Sequence, residues 1–182
     1  MNRDQNLIES LSGRKRVFDG LIIHVDHMTA RLPNGKTAAR EVAVHVGASA
    51  IVPIDDAGNV YLVRQFRAPL EKVTLEIPAG KLDSPDEDRL EAAQRELREE
   101  TGFTAANWTK LTDLATTPGF CTEIISIFRA TNLSAGETDF DDDEFLGLIK
   151  MPLSQAVDMI MNGEICDSKT IAGILMASRI PC

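Results

Sequence analysis

Residues 80–103 read GKLDSPDEDRLEAAQRELREETGF, and the fold is decided in this stretch. Leu90, Ala93 and Leu97 recur at helical spacing and form one apolar stripe. Asp86 or Ser84 is placed to cap the start of that helix. Gly102 supplies the left-handed residue with which helices commonly end. Glu96 and Glu100 stand four apart and project together, with Glu99 beside them. On an exposed helix surface such like-charge pairs cost only about 0.2–0.5 kcal/mol each, so a plain solvated acidic face is one reading. Partial burial changes the balance, because two like charges ~6 Å apart repel by roughly 3 kcal/mol at an effective dielectric of 20. A bound cation offsets that repulsion. Oxygen-only donors with no histidine nearby suit magnesium and not zinc. Arg95 is at helical spacing from both Glu91 and Glu99. It either orients a ligand carboxylate or forms a surface ion pair.

Strands surround this helix. Residues 16–45 read as strand segments: VFDGLIIHVDHMTARL is rich in β-branched and apolar residues, PNGK is a turn, and TAAREVAVHV alternates. ASAIVPID and NVYLVRQFR are two further strands, split by the turn at 55–58, and TLEIPAG is a short strand entering the acidic segment. Beyond the helix come a strand near 110–115, the loop TTPGF, the strand IISIFRAT, an acidic loop SAGETDFDDDEF and the apolar run LGLIKM. Two helices close the chain, over 153–161 and 168–178. Strands outnumber helices without a regular βαβ order, which predicts an α+β chain with a mixed sheet covered by helices.

Composition narrows the function. A chain of 182 residues can build one domain with a core. A net charge of −9 argues against broad contact with nucleic-acid phosphates. The three cysteines, Cys121, Cys166 and Cys182, fit neither a zinc motif nor a disulfide framework. The first residues, MNRDQNLIESLSG, lack the apolar core of a signal peptide, and no apolar run is long enough for a membrane span. These features predict a cytoplasmic protein with reduced thiols, bound to neither nucleic acid nor membrane.

The acidic stretch resembles the Nudix box: glycine, five residues, Glu, seven residues, then Arg-Glu-apolar-x-Glu-Glu-x-Gly-apolar. Glu87, Arg95, Glu96, Leu97, Glu99, Glu100, Gly102 and Phe103 match in register. One departure is visible, since six residues separate Gly80 from Glu87; the extra one falls in KLDSPD. The resemblance implies a Nudix fold, an α/β/α sandwich around a mixed β-sheet. It also implies Mg²⁺, with Mn²⁺ as a possible substitute, held by Glu96, Glu99, Glu100 and the backbone carbonyl at Ala79.

The similarity continues outside the box. REVAVHVGASAIVPID, VYLVRQFRAPLEKVTLEIPAGKLD, TTPGFCTE and GEICDSKTIAGIL look like ADP-ribose pyrophosphatases, with Pro118 fifteen residues beyond Phe103. GDP-mannose pyrophosphatases are similar too. This resemblance implies a pyrophosphohydrolase acting on a nucleotide sugar, converting ADP-ribose and water to AMP and ribose 5-phosphate. A non-catalytic nucleotide-sugar sensor is the rival, and retention of the box glutamates argues against it. By the same resemblance Arg40 and Glu41 lie near the adenine, Arg67 contacts the phosphates, and Glu123 shapes the phosphate site. Glu99 and Glu100 act in catalysis, and an acid among Asp141, Asp142, Asp143 and Glu144 activates water, Glu144 being the choice. Arg95 supports the metal ligands. The implied organisation is an N-terminal antiparallel strand region, 1–45, at the interface of a homodimer, and a catalytic domain over 46–182. Phe18 either stacks on adenine across that interface or packs in the core, and core packing is expected.

Overall fold

A computed structural model describes residues 4–136 and 147–181. The chain divides into two compact units, Met1–Val46 with Thr117–Glu123, and Gly47–Thr116 with Ile124–Cys182.

In the first unit three strands, β1 (Ser10–Asp19), β2 (His24–Arg31) and β3 (Thr37–Val44), form an antiparallel sheet in that order. β1 begins earlier than the apolar pattern predicts. Gly13 adopts φ +61° beside a register shift between Ser12 and Lys15, and this bulge lets the polar segment SLSGRKR pair with β2. The apolar run over 17–32 is broken where Gly20 N–H donates to the Ile23 carbonyl at 2.9 Å. Asp26 is buried on β2 and accepts from both Arg14 and Arg16. Those hydrogen bonds, Arg16's above all, hold its carboxyl below the usual carboxylate range. Phe18 does not pack in a core: it is 57% exposed on an edge strand whose residues are all exposed. Near its end β3 also pairs with the 117–123 segment, through Ala43 N–H to the Phe120 carbonyl at 2.7 Å and Thr122 N–H to the Ala43 carbonyl at 2.9 Å.

The second unit is built on β4 (Ala48–Pro53), β7 (Ala79–Lys81), β8 (Phe103–Ala115) and β9 (Ile124–Ala135), ordered β7-β4-β9-β8. β4 and β9 are parallel and the other neighbours antiparallel, so the sheet is mixed. A smaller antiparallel sheet places β5 (Asn59–Arg67) between β6 (Lys72–Glu76) and β10 (Gly147–Pro152). Among the described residues the α-helices are α1 (Arg89–Thr101), α2 (Leu153–Met161) and α3 (Ser168–Ala177). Alternation along the central strands separates two apolar layers. Ile51, Phe128 and Ala130 pack with Ala93 and Leu97 of α1. Ala50, Val52, Ile125 and Ile127 pack with Ala156 of α2 and Ile174 of α3. The mixed sheet therefore lies between helices, the α+β arrangement that the order of elements predicts.

Three local readings differ from the sequence expectation. The segment TLEIPAG splits at Pro78, because Ile77 N–H donates to Thr170 Oγ1 at 2.9 Å instead of continuing a ladder. β8 starts directly after the helix cap; its polar residues conceal a half-exposed strand. β9 runs on to Ala135, past the apolar segment that announces it. Among the described residues no helix is long and apolar enough to cross a membrane.

Candidate active site

The helix that carries the carboxylates is held at both ends. Its N-cap is Asp88, whose side chain accepts from the amides of Leu90 at 2.8 Å and Glu91 at 3.0 Å. Neither Ser84 nor Asp86 takes that role. Ser84 is still in the loop, where its carbonyl accepts from Glu87 N–H at 3.2 Å, and the cap falls four residues later, at Asp88. Gly102 closes the helix at φ +72°, donating to the Arg98 carbonyl at 2.9 Å. The first turn is tied to β4 by Ser49 Oγ, which donates to the Arg89 carbonyl at 2.8 Å, and by the Arg89 guanidinium on the Ala48 carbonyl at 3.2 Å.

Helical spacing then delivers the acids. Glu96 and Glu100 are buried and Glu99 is partly exposed. The Arg95 guanidinium lies among them: Nη1 donates to Glu96 Oε1 at 2.6 Å and to Glu99 Oε2 at 3.0 Å, and Nη2 approaches Glu87 Oε1 at 3.4 Å. Of the two spacings open to Arg95, the Glu99 one is used. Burial pulls the guanidinium pKa down, but the Glu96 charge and the hydrogen bonds it donates to Glu96 and Glu99 outweigh this and raise the pKa. Glu100 Oε2 accepts from Ala79 N–H at 3.0 Å, tying the helix to β7. Gly80 is required beside them. A Cβ there would lie 2.0 Å from Glu96 Oε1, so the missing side chain is what gives the carboxylate its room.

This donor set fits a hard divalent cation in its chemistry. It offers three carboxylates on one helix face, two of them withdrawn from water, and a backbone left open by glycine. Among the described residues no group of three His, Cys, Asp or Glu side chains already closes around a single point, and the Arg95 cation holds two of the helix glutamates.

A second polar cluster adjoins the same strand end. Arg67 forks onto Glu76, Nε to Oε1 at 2.8 Å and Nη2 to Oε2 at 2.7 Å. Thr74 Oγ1 and Lys169 also donate to Glu76, which is 2% exposed. Lys169 further pairs with Asp167 at 3.0 Å, and Asp167 caps α3 through Thr170 N–H at 3.0 Å. Burial pushes the Glu76 carboxyl upward; the Arg67 hydrogen bonds and the Lys169 charge overcome this and hold it at about 2. The Glu76 hydrogen bond also raises the Arg67 pKa, with smaller contributions from the charges of Asp167 and Glu100. Arg67 is thus set by Glu76 while 40% of its side chain faces solvent.

The predicted residues are divided between the units. Ala79, Glu96, Glu99, Glu100, Arg95 and Arg67 belong to the second. Arg40, Glu41 and Glu123 belong to the first. There Arg40 forks onto Glu9, and Glu123 pairs with His45 at 3.4 Å. Arg40 and Glu41 also line a pocket of about 650 Å³ with Ile23, Val25, Gly119 and Phe120. Glu144, with Asp141, Asp142 and Asp143, lies outside the described residues. Sequence reasoning missed Glu76, Asp167 and Lys169. A glutamate inside the short strand KVTLE was the available signal; its lysine partner is 93 residues away and carried none.

Comparison with known proteins agrees with this geometry. A family model described as NUDIX domain matches residues 43–172. An ADP-ribose pyrophosphatase of Bacillus subtilis is 40% identical over 172 residues, 93% of this chain and 92% of the relative. A methanol dehydrogenase activator of Bacillus methanolicus is 40% identical over 162 residues, 88% of this chain and 87% of the relative. A crystal structure of an ADP compounds hydrolase superposes with a TM-score of 0.82 at 24% identity, covering 93% of this chain and 92% of that one, and so supports the fold. With its carboxylate helix set on a mixed sheet and the match spanning most of its length, the chain belongs to the NUDIX domain family.

Proposed function

We propose that this chain hydrolyses the diphosphate bond of a nucleoside diphosphate sugar, with ADP-ribose the preferred substrate and AMP and ribose 5-phosphate the products. The observation that carries the reading is the helix face of Glu96, Glu99 and Glu100, opened by Gly80, in a chain 40% identical to an ADP-ribose pyrophosphatase across 93% of its length.

Glu96, Glu99, Glu100 and the Ala79 carbonyl would hold Mg²⁺, with Mn²⁺ as a substitute. Such an ion supplies Lewis acidity and neutralises diphosphate charge. The chain's own groups do the rest. Arg95 donates to both Glu96 and Glu99 and so holds the two carboxylates turned toward one another. Arg67, oriented by its fork on Glu76, presents its remaining N–H groups to a phosphate oxygen. Glu100 holds the β7 backbone in place through Ala79 N–H. Arg40 and Glu41 receive the adenosine end, Glu123 shapes the phosphate end, and Glu144 accepts the proton of the attacking water.

The exposed apolar residues of the first unit, Leu11, Val17, Phe18, Leu21 and Ile22 among them, support a homodimer formed through the N-terminal strands over 1–45. The second domain of the reading is 46–182, and the site of action is the cytoplasm.

The test is product chromatography after incubation with ADP-ribose, GDP-mannose, NADH or diadenosine polyphosphates, each with Mg²⁺ or Mn²⁺. Cleavage of ADP-ribose above the others supports the reading. Tight binding of ADP-ribose without product overturns it in favour of a sensor.

A further inference from the structure

On the sheet face opposite α1, the second unit carries a polar pocket of about 360 Å³ that the hydrolytic reading does not use. Arg129 lines it from β9, in the alternation that puts Ile125 and Ile127 on the α2/α3 side. Ile54, Asp55, Asp56, Asn107, Thr131 and Asn132 complete the lining. Arg129 is only 9% exposed. Its Nη1 donates to the Pro181 carbonyl at 3.2 Å, but its buried Nε has no acceptor. Among the described residues it has no carboxylate at ion-pair distance. A buried cation without a counter-ion is costly, and an anion is what relieves it.

The aspartates of the lining are not equivalent. Asp55 is fully engaged by Lys150 at 2.7 Å and by the Asn59 amides, so its charge is balanced in place. Asp56 is exposed at the rim. Asn132 holds a left-handed backbone at φ +57°, a conformation that asparagine adopts more readily than most residues. The pocket thus joins a guanidinium floor, one rim carboxylate and neutral amide and hydroxyl groups. A dianion would be repelled by Asp56. A carboxylate with a neighbouring ammonium would satisfy both ends, and the volume is at the small-ligand end of binding sites.

We infer that this pocket binds a small zwitterionic carboxylate of the α-amino-acid type, its carboxylate on Arg129 and its ammonium toward Asp56. The reading is independent of the hydrolytic site and of its substrate.

The experiment follows the Arg129 side-chain Nε–H resonance by NMR in the full chain. Glycine, acetate and inorganic phosphate are added separately, each up to about 20 mM, where millimolar binding saturates. Glycine is expected to shift the resonance saturably, with acetate several-fold weaker and phosphate without effect. Asp56→Asn should bring glycine down to the level of acetate, and Thr131→Val should weaken both; these rim positions keep the test open if Arg129→Gln fails to fold. Preference for phosphate would overturn the ligand class. No saturable shift with any probe would overturn the site and leave Arg129 hydrated by solvent alone.

Discussion

Gly80→Ala separates the fold from the chemistry more cleanly than removal of any glutamate. The backbone at Gly80 is not in the left-handed region, so alanine is tolerated there locally. The added Cβ would sit 2.0 Å from Glu96 Oε1, 2.1 Å from Cδ and 2.3 Å from Oε2, whereas ordinary contact begins at 3.4 Å. The carboxylate must therefore retreat by about 1.4 Å, the difference between those two distances. The moving group is the end of a flexible side chain, so strain stays near the low end of the roughly 1–3 kcal/mol typical of overpacking. The functional cost is larger. The Arg95–Glu96 contact at 2.6 Å is lost with the displacement, and an ~1 Å misplacement of a positioned group costs on the order of 10²-fold in rate. Steady-state ADP-ribose hydrolysis across a Mg²⁺ titration is the assay, with urea unfolding alongside. The expected result is turnover down by about two orders of magnitude, a raised Mg²⁺ requirement and an unfolding midpoint close to the parent. Parent-like turnover with an unchanged Mg²⁺ dependence would show that Glu96 does not act from this position.

Other perturbations read other parts of the site. Glu100→Gln keeps an acceptor for Ala79 N–H but removes the charge, so kcat should fall by roughly 10²-fold or more with stability within about 1 kcal/mol, checked by kinetics and thermal melts. Asp88→Ala should lower stability by about 1 kcal/mol, whereas Ser84→Ala and Asp86→Ala should be silent; parallel urea titrations decide. Lys169→Met leaves Glu76 buried with Arg67 as its remaining cation and should cost about 1.5–3 kcal/mol at neutral pH, the range for a hydrogen bond to a charged group. The Glu76 carboxyl is depressed from 4.5 to about 2, so its contribution is complete above 4.5 and is lost as pH falls toward 2. The gap between parent and Lys169→Met should accordingly narrow between pH 5 and pH 2 in urea midpoints; a gap that stays constant would mean the lysine acts only through packing.

The legible parts of the chain were those where one local rule decides. The stripe of Leu90, Ala93 and Leu97 sets the helix face, and the same periodicity places Glu96 and Glu100 together, whatever the rest of the molecule does. Asn59–Arg67 and Leu153–Met161 likewise carry their own alternation and stop signals. What failed locally was decided by distant partners. β1 exists because β2 offers it a ladder and Gly13 a bulge, although its own residues are polar. Phe18 is apolar yet exposed, because an edge strand has no second layer within its own unit to receive it. The Glu76 cluster was invisible for the same reason: Arg67, Glu76 and Lys169 meet only after β5, β6 and α3 have packed.

The irregular spacing before the helix follows the same logic. Six residues, not five, separate Gly80 from Glu87, and an extra residue in a rigid segment would rotate the acids away. The anchors on either side absorb it. Leu82 is fully buried, with its N–H on the Gly47 carbonyl at 3.1 Å, and Glu87 reaches back to the Asp83 amide at 2.6 Å while still meeting Arg95. The surplus lies in the exposed segment 83–86, where a longer loop costs only a few tenths of a kcal/mol in closure entropy. The helix registers on β4 through Arg89 and on β7 through Glu100, so its carboxylates are placed by contacts that the loop length does not enter. Deleting Ser84 should therefore leave turnover and the unfolding midpoint near the parent values. A loss of activity like that of Gly80→Ala would show instead that the loop, and not the sheet, positions the acids.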